Sequence, residues 1–150
     1  MVTFADVRYC TKDAWFQVKE AALGLAADVG ALQRLPKVVG NDSWAREVCL
    51  TARKIDSQEA KEQGLVSQVF VDKESMMEAC LKLAESIAAM SPVAVQGTKI
   101  NMNYSRDHSV EQGLDFIAHW NMSMLQSEDL MKAAVAMISK DEEAPSFSKL

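Results

Sequence analysis

Two carboxylates stand out by what lies between them. Glu20 follows Trp15-Phe16-Gln17-Val18, which reads as a short strand. Asp28 comes eight residues later, across Ala21-Ala22-Leu23-Gly24-Leu25-Ala26-Ala27. A pair of carboxyls flanking a small, apolar, glycine-bearing stretch is a constellation for proton transfer. An apolar surround raises a carboxyl pKa toward working pH, and small residues let a substrate approach the backbone closely. A plainer reading stays open for each. Asp28 can simply cap a helix starting at Val29, and Glu20 can be an exposed strand end paired with Lys19.

No other constellation competes. His108 sits in a polar turn and reads as solvated, and His119, between Ala118 and Trp120, reads as partly buried. Two isolated histidines do not make a metal site. Cys10, Cys49 and Cys80 are an odd, widely spaced set with no C-x-x-C, which argues against a disulfide framework or zinc and for a reducing compartment. Nucleophile elbow, P-loop and G-x-G-x-x-G patterns are absent.

The elements that must position the pair come next. Val2, Phe4, Val7 and Tyr9 read as a first strand that needs a partner from later in the chain or from another subunit. Leu23 to Gly40 mixes Gly and Ala with a short helical stretch. Ser43 is expected to cap a helix through Thr51, and Ser57 another that stops at Gly64. Leu65–Phe70 reads as a strand. From Lys73 the pattern is helical. Met76, Met77, Cys80, Leu81, Ala84, Ile87 and Ala88 recur at helical spacing. Ser91-Pro92 starts the next helix, Ser109 and Gln112 form a capping box, and Ser127 opens the last helix, with Leu130, Met131, Ala134, Val135 and Ile138 as its buried face. The helix after Ser109 is apolar on more than one side, as in a central helix or one pressed against another subunit. The expected organisation is a mixed α/β part over 1–72, a helical part over 73–140 and a tail over 141–150.

Composition narrows the class. The 150 residues are 49% hydrophobic, enough for a core, with a net charge of −5 and no basic block, which disfavours nucleic acid. No apolar run is long enough to span a bilayer. The N-terminus has no basic n-region or sustained apolar stretch, so it does not read as a signal or transit peptide. The chain ends in Ser148-Lys149-Leu150, a match to the peroxisomal address read by an import receptor, after a polar, Pro-interrupted tail that would keep it exposed.

The runs Phe16-Gln17-Val18-Lys19-Glu20, Gly24-Leu25-Ala26-Ala27-Asp28-Val29-Gly30, Gln33-Arg34-Leu35-Pro36-Lys37, Gly64-Leu65-Val66-Ser67 and Tyr104-Ser105-Arg106-Asp107-His108-Ser109 resemble the crotonase (enoyl-CoA hydratase/isomerase) superfamily. The match is nearest to those members that convert 3,5-dienoyl-CoA to 2,4-dienoyl-CoA in beta-oxidation of unsaturated fatty acids. The resemblance covers nearly the whole chain. It implies an α/β, crotonase-like (ClpP/crotonase spiral) fold with an all-helical C-terminal oligomerisation subdomain. It implies acyl-CoA as substrate, CoA being part of the substrate and no cofactor being needed, and a homo-oligomer, trimer or hexamer. Glu20 and Asp28 match the family's acid/base carboxylates, with Glu20 assigned to C2 and Asp28 to C6. Family members have well over a hundred further residues on the N-terminal side, holding the oxyanion-hole donors, the CoA loop and a third acid. The chain is therefore expected to be truncated and inactive alone. The other expectations are another crotonase reaction, such as enoyl-CoA hydration, or a non-catalytic peroxisomal fragment that joins oligomers. Location is expected in the peroxisomal matrix, with mitochondria open for a full-length form.

Overall fold

The computed structural model of the chain describes residues 2–139 and 145–147, so the Ser148-Lys149-Leu150 signal lies outside the described residues. Two compact units are present, Met1–Leu81 and Lys82–Leu150.

The first unit contains a 3₁₀ turn at Val2–Phe4, strands β1 (Tyr9–Thr11) and β2 (Trp15–Phe16), a second 3₁₀ turn at Glu20–Leu23, helices α1 (Ala31–Val39) and α2 (Asp42–Thr51), strand β3 (Ile55–Asp56), helix α3 (Ser57–Glu62) and strand β4 (Gln68–Phe70). Helix α4 (Lys73–Ala88) begins in it. β1 lies parallel to β4 with Cys10 opposite Val69, and β2 lies antiparallel to β3 with Phe16 opposite Ile55. A parallel pair needs a crossover, and everything from β2 to α3 supplies it. The core of this unit gathers Cys10, Leu35, Trp44, Val48, Ile55 and Val66. Burial raises the Cys10 thiol pKa.

The expected first strand over Val2, Phe4, Val7 and Tyr9 is shorter than its pattern, since only Tyr9–Thr11 is extended and paired. The reason lies in the partner segment. The carbonyl of Leu65 accepts the Arg8 Nε at 2.6 Å, and the N–H groups of Leu65 and Val66 donate to Ala60 O at 2.8 and 3.2 Å. The N–H groups of residues 65 and 66 are thereby committed to the end of α3 and the Leu65 carbonyl to Arg8, so these groups are not available to a ladder. The expected Leu65–Phe70 strand contracts to Gln68–Phe70 for the same reason.

Two caps fall one or two residues earlier than expected. Asn41, not Ser43, caps α2, accepting from Trp44 N at 3.2 Å. Asp56, not Ser57, caps α3, accepting from Glu59 N at 2.8 Å. Ser57 is buried instead and donates to Lys12 O at 2.8 Å, tying α3 to the end of β1.

The second unit holds the end of α4, then α5 (Pro92–Ser105), α6 (Val110–Met124) and α7 (Glu128–Ser139). Ser91 caps α5 with Pro92 at its first position, and the Ser109/Gln112 capping box is present. α5 and α6 pack through small residues. Gly97 faces Trp120, and Gly113 faces Ser105. His108, Tyr104 and Phe116 stack at 3.7 and 4.1 Å between centroids. His119 is exposed rather than partly buried, its Nδ1 2.7 Å from Asp115 O one turn back. The α7 face expected to be buried is largely open: Met131 is 64%, Val135 60% and Ile138 82% exposed. Helical spacing marks a face but not what covers it.

Candidate functional site

The candidate site grows out of β2. Pairing with β3 holds Trp15 and Phe16 extended, and Lys54 sits 4.1 Å over the Trp15 ring on the outside. The chain then leaves the sheet. Lys19 takes a helical conformation and Glu20 opens a 3₁₀ turn closed by Gly24 at φ +81. Glu20 is thus at the head of a turn rather than at a strand end. Its carbonyl accepts from Leu25 N at 3.2 Å, which ties the turn to the following loop.

That loop runs from Gly24 to Gly30, both in the left-handed region that suits glycine. Asp28 lies on it and is exposed. The plainer reading of Asp28 as a helix cap does not hold. α1 starts at Ala31 with Gly30 as its N-cap, and no side chain makes a capping bond there.

Glu20 lines a cavity of about 280 Å³. Phe16, Val18, Leu35, Ile55 and Leu65 supply apolar wall, while Thr3 and Gln17 add polar groups. Val29 also lines it and Asp28 does not. The structure therefore brings Glu20 to the cavity and leaves Asp28 one residue outside its lining. Cys49 on α2 senses the same region. Its thiol pKa is raised first by burial and then by the Glu20 charge.

The wall has a polar support that spacing does not reveal. Gln17 Nε2 donates to Ala52 O at 2.6 Å. Ala52 is the C-cap of α2 and stands at φ +52, the one non-glycine residue at positive φ among the described residues. Next to it, Arg53 bonds Glu59 with two nitrogens, at 2.9 and 2.6 Å, and Glu47 with Nε at 2.7 Å. Trp44 Nε1 donates to Glu59 Oε1 at 2.8 Å. The Arg53 and Trp44 hydrogen bonds pull the Glu59 carboxyl down to about 2. The carboxylates beside it hold the Arg53 guanidinium above its usual range. Glu47 and Glu59 each lie six residues from Arg53, a spacing that marks no shared helix face, and an alanine gives no sign of a left-handed turn.

Among the described residues, no three His, Cys, Asp or Glu side chains are placed to hold a metal ion, and no helix is long and apolar enough to cross a membrane.

Comparison with known proteins puts this geometry in a family. The model of the enoyl-CoA hydratase/isomerase family matches residues 1–146. The chain is similar to the mitochondrial Delta(3,5)-Delta(2,4)-dienoyl-CoA isomerase of Rattus norvegicus, at 57% identity over 100% of this chain and 46% of that protein. It is similar to the peroxisomal Delta(3,5)-Delta(2,4)-dienoyl-CoA isomerase of Arabidopsis thaliana, at 47% identity over 100% of this chain and 53% of that one. The chain thus spans about half the length of the curated relatives it matches. The crystal structure of enoyl-CoA hydratase from Bacillus anthracis superposes with a TM-score of 0.88 at 28% identity, over 97% of this chain and 55% of that one. The fold is crotonase-like, and the chain belongs to the enoyl-CoA hydratase/isomerase family.

Proposed function

We propose that the chain carries the acid/base part of a dienoyl-CoA isomerase, converting 3,5-dienoyl-CoA to 2,4-dienoyl-CoA. The observation that carries the reading is Glu20, a carboxylate in the wall of a largely apolar cavity, in a chain 57% identical to a relative of that name. In the proposed reaction Glu20 takes a proton from C2, next to the thioester. The electron pair delocalises through the diene into the thioester oxygen, and Asp28 delivers a proton to C6. The double bonds move from 3,5 to 2,4 and no atom is gained or lost. The thioester stabilises the carbanion, so the chemistry asks for no metal or redox cofactor, and CoA enters as part of the substrate. Asp28, next to the Val29 that lines the cavity, is on a loop between two left-handed glycines.

The enoyl-CoA hydratase reading is favoured by the structural likeness at TM-score 0.88. The isomerase reading has the higher identity and the Asp28 match. The test, run on a full-length form that contains this sequence, is a spectrophotometric assay of conjugated 2,4-dienoyl-CoA formation beside an assay of 2-enoyl-CoA hydration. Isomerisation that falls about 10²–10⁴-fold in Glu20→Gln and in Asp28→Asn supports the proposal. Hydration outrunning isomerisation, or an unchanged rate in Glu20→Gln, overturns it.

We infer further that the helices over 73–140 join copies of the chain into a trimer or hexamer. The open apolar faces support this, with Leu114 at 63% and Met122 at 70% exposure on α6 beside those on α7. Sedimentation of the purified chain as a monomer would count against it. Residues 148–150 read as a peroxisomal address for an import receptor, and a fusion lacking them is expected to stay out of peroxisomes. The rat relative is named mitochondrial and the Arabidopsis relative peroxisomal.

A further inference from the structure

Arg53 does not line the cavity, yet it stands next to Ala52, whose carbonyl holds the Gln17 side chain of the cavity wall. Its guanidinium reaches back to Glu47 on α2 and forward to Glu59 on α3, so the segment between the two helices is gripped from both sides. Thr51 Oγ1 adds a bond to Glu47 O at 2.7 Å. Inside that grip Ala52 holds φ +52, a conformation that an alanine keeps only where its surroundings fix it. The same conformation directs the Ala52 carbonyl to Gln17 Nε2 at 2.6 Å. Gln17 lines the cavity three residues before Glu20, and the ladder partner of Phe16 is Ile55, two residues after Arg53. The Ala52–Arg53 peptide and the Gln17 hydrogen bond thus connect the Glu47–Arg53–Glu59 cluster to the segment that leads to Glu20.

We propose that Arg53 is a positioning residue for Glu20: clamped between Glu47 and Glu59, it fixes the Ala52 carbonyl, which anchors the Gln17 amide and with it the turn that carries Glu20. The inference rests on the reading of Glu20 as a proton-transfer group. Arginine suits the role because its planar fork meets two carboxylates at once, which a lysine ammonium cannot do in fixed geometry. A misplacement of about 1 Å at a reacting group is enough to cost roughly 10²-fold in rate.

The experiment uses the full chain and its Arg53→Met, Arg53→Lys and Gln17→Leu variants, with the Arg53→Met/Gln17→Leu double variant. Two readouts are taken: the ¹⁵N–¹H side-chain amide resonance of Gln17 with amide exchange over residues 17–25, and turnover of 3,5-dienoyl-CoA. Arg53→Met is expected to shift the Gln17 resonance and to speed exchange over 17–25 about 10-fold, leaving 110–124 as in wild type. It is expected to lower kcat about 10–100-fold with KM within about 2-fold, since the effect is on alignment and not on binding. Arg53→Lys should recover part of the loss, and the double variant should be no slower than Arg53→Met alone, because both changes break one path. An unmoved Gln17 resonance with unchanged exchange overturns the proposal, as do penalties that simply add or a raised KM with kcat intact. If Arg53→Met does not fold, Arg53→Lys is judged by the same readouts. Turnover is read in a full-length form that contains this sequence; absence of isomerase turnover there sinks the activity reading, while the resonance and exchange data on the chain still decide whether Arg53 holds Gln17.

Discussion

Ser91 Oγ donates a 2.6 Å hydrogen bond to Oδ2 of the buried Asp129, joining the N-cap of α5 to the first turn of α7. The same serine oxygen accepts from Ala94 N, so one hydroxyl serves both helices. Asp129→Ala removes the acceptor of the Ser91 hydroxyl proton beside a cavity of about 360 Å³ and takes an acid from the positive end of α7. The expected loss is about 1–3 kcal/mol in urea unfolding. Asp129→Asn keeps an acceptor and should lose less. Equal stability of Asp129→Ala and wild type would show that the bond does not tie the helices.

Gly97 lies against an indole ring. A Cβ there would sit 2.9 Å from Trp120 Nε1 and 3.6 Å from its Cε2. Alanine favours a helix interior by about 0.5–1 kcal/mol over glycine. Trp120 is stacked on Phe116 at 6.2 Å and cannot swing away as a lysine tip would. The clash should win, since overpacking costs about 1–3 kcal/mol. Gly97→Ala is expected to lower stability by about 1 kcal/mol and to shift tryptophan fluorescence. A stabilised variant would mean that α5 and α6 are free to separate.

What the residues foretell follows the range of the forces involved. The caps at Ser91 and at Ser109 with Gln112 are read correctly because each is complete within four residues. At the head of α2, Asn41, Asp42 and Ser43 are all good capping types, and Asn41 takes the role by accepting from the N–H of the buried Trp44. The first strand is cut short at both ends of its pattern: Val2–Phe4 closes a local 3₁₀ turn, and next to Tyr9 the N–H groups of Leu65 and Val66 go to Ala60 and the Leu65 carbonyl to Arg8, nearly sixty residues away in sequence. As candidates, Glu20 and Asp28 are legible only as a pair of carboxylates across small apolar residues, and the structure brings just Glu20 to the cavity. The support beneath Glu20 is not legible, since it passes through an alanine in a glycine's conformation and an arginine with partners on two helices.

Stability should depend on Glu59 in acid. Its folded pKa is lowered to about 2, while an unfolded glutamate titrates near 4.3. A depressed carboxyl stabilises the fold fully above its unfolded pKa and loses that contribution as pH falls toward the folded value. The window is therefore about pH 5 down to about pH 2. The pair is partly solvated, with Glu59 at 26% and Arg53 at 35% side-chain exposure, so the contribution is about 1–2 kcal/mol after screening. Glu59→Gln keeps a partner for Trp44 Nε1 but not the charge. Urea midpoints across pH should show the variant less stable at pH 7 and level with wild type near pH 2. A constant gap would assign the effect to packing.

Ala52 offers the sharpest test of the backbone geometry. At φ +52 its side chain meets a steric cost of about 1–2 kcal/mol that glycine does not pay. Glycine loses more chain entropy on folding, about 0.5–1 kcal/mol. The buried methyl adds a small packing term in favour of alanine. Ala52→Gly should thus be neutral or up to about 1 kcal/mol more stable, and it can keep the carbonyl aimed at Gln17. Ala52→Val cannot hold the left-handed region without strain, since a β-branched residue at positive φ is an outlier. It should lose about 2 kcal/mol or more and weaken the Gln17 anchor with it. Urea melts of both variants, read beside the Gln17 side-chain resonance, separate the two effects. A valine variant as stable as wild type, with the Gln17 signal in place, would mean that the carbonyl does not depend on the left-handed turn.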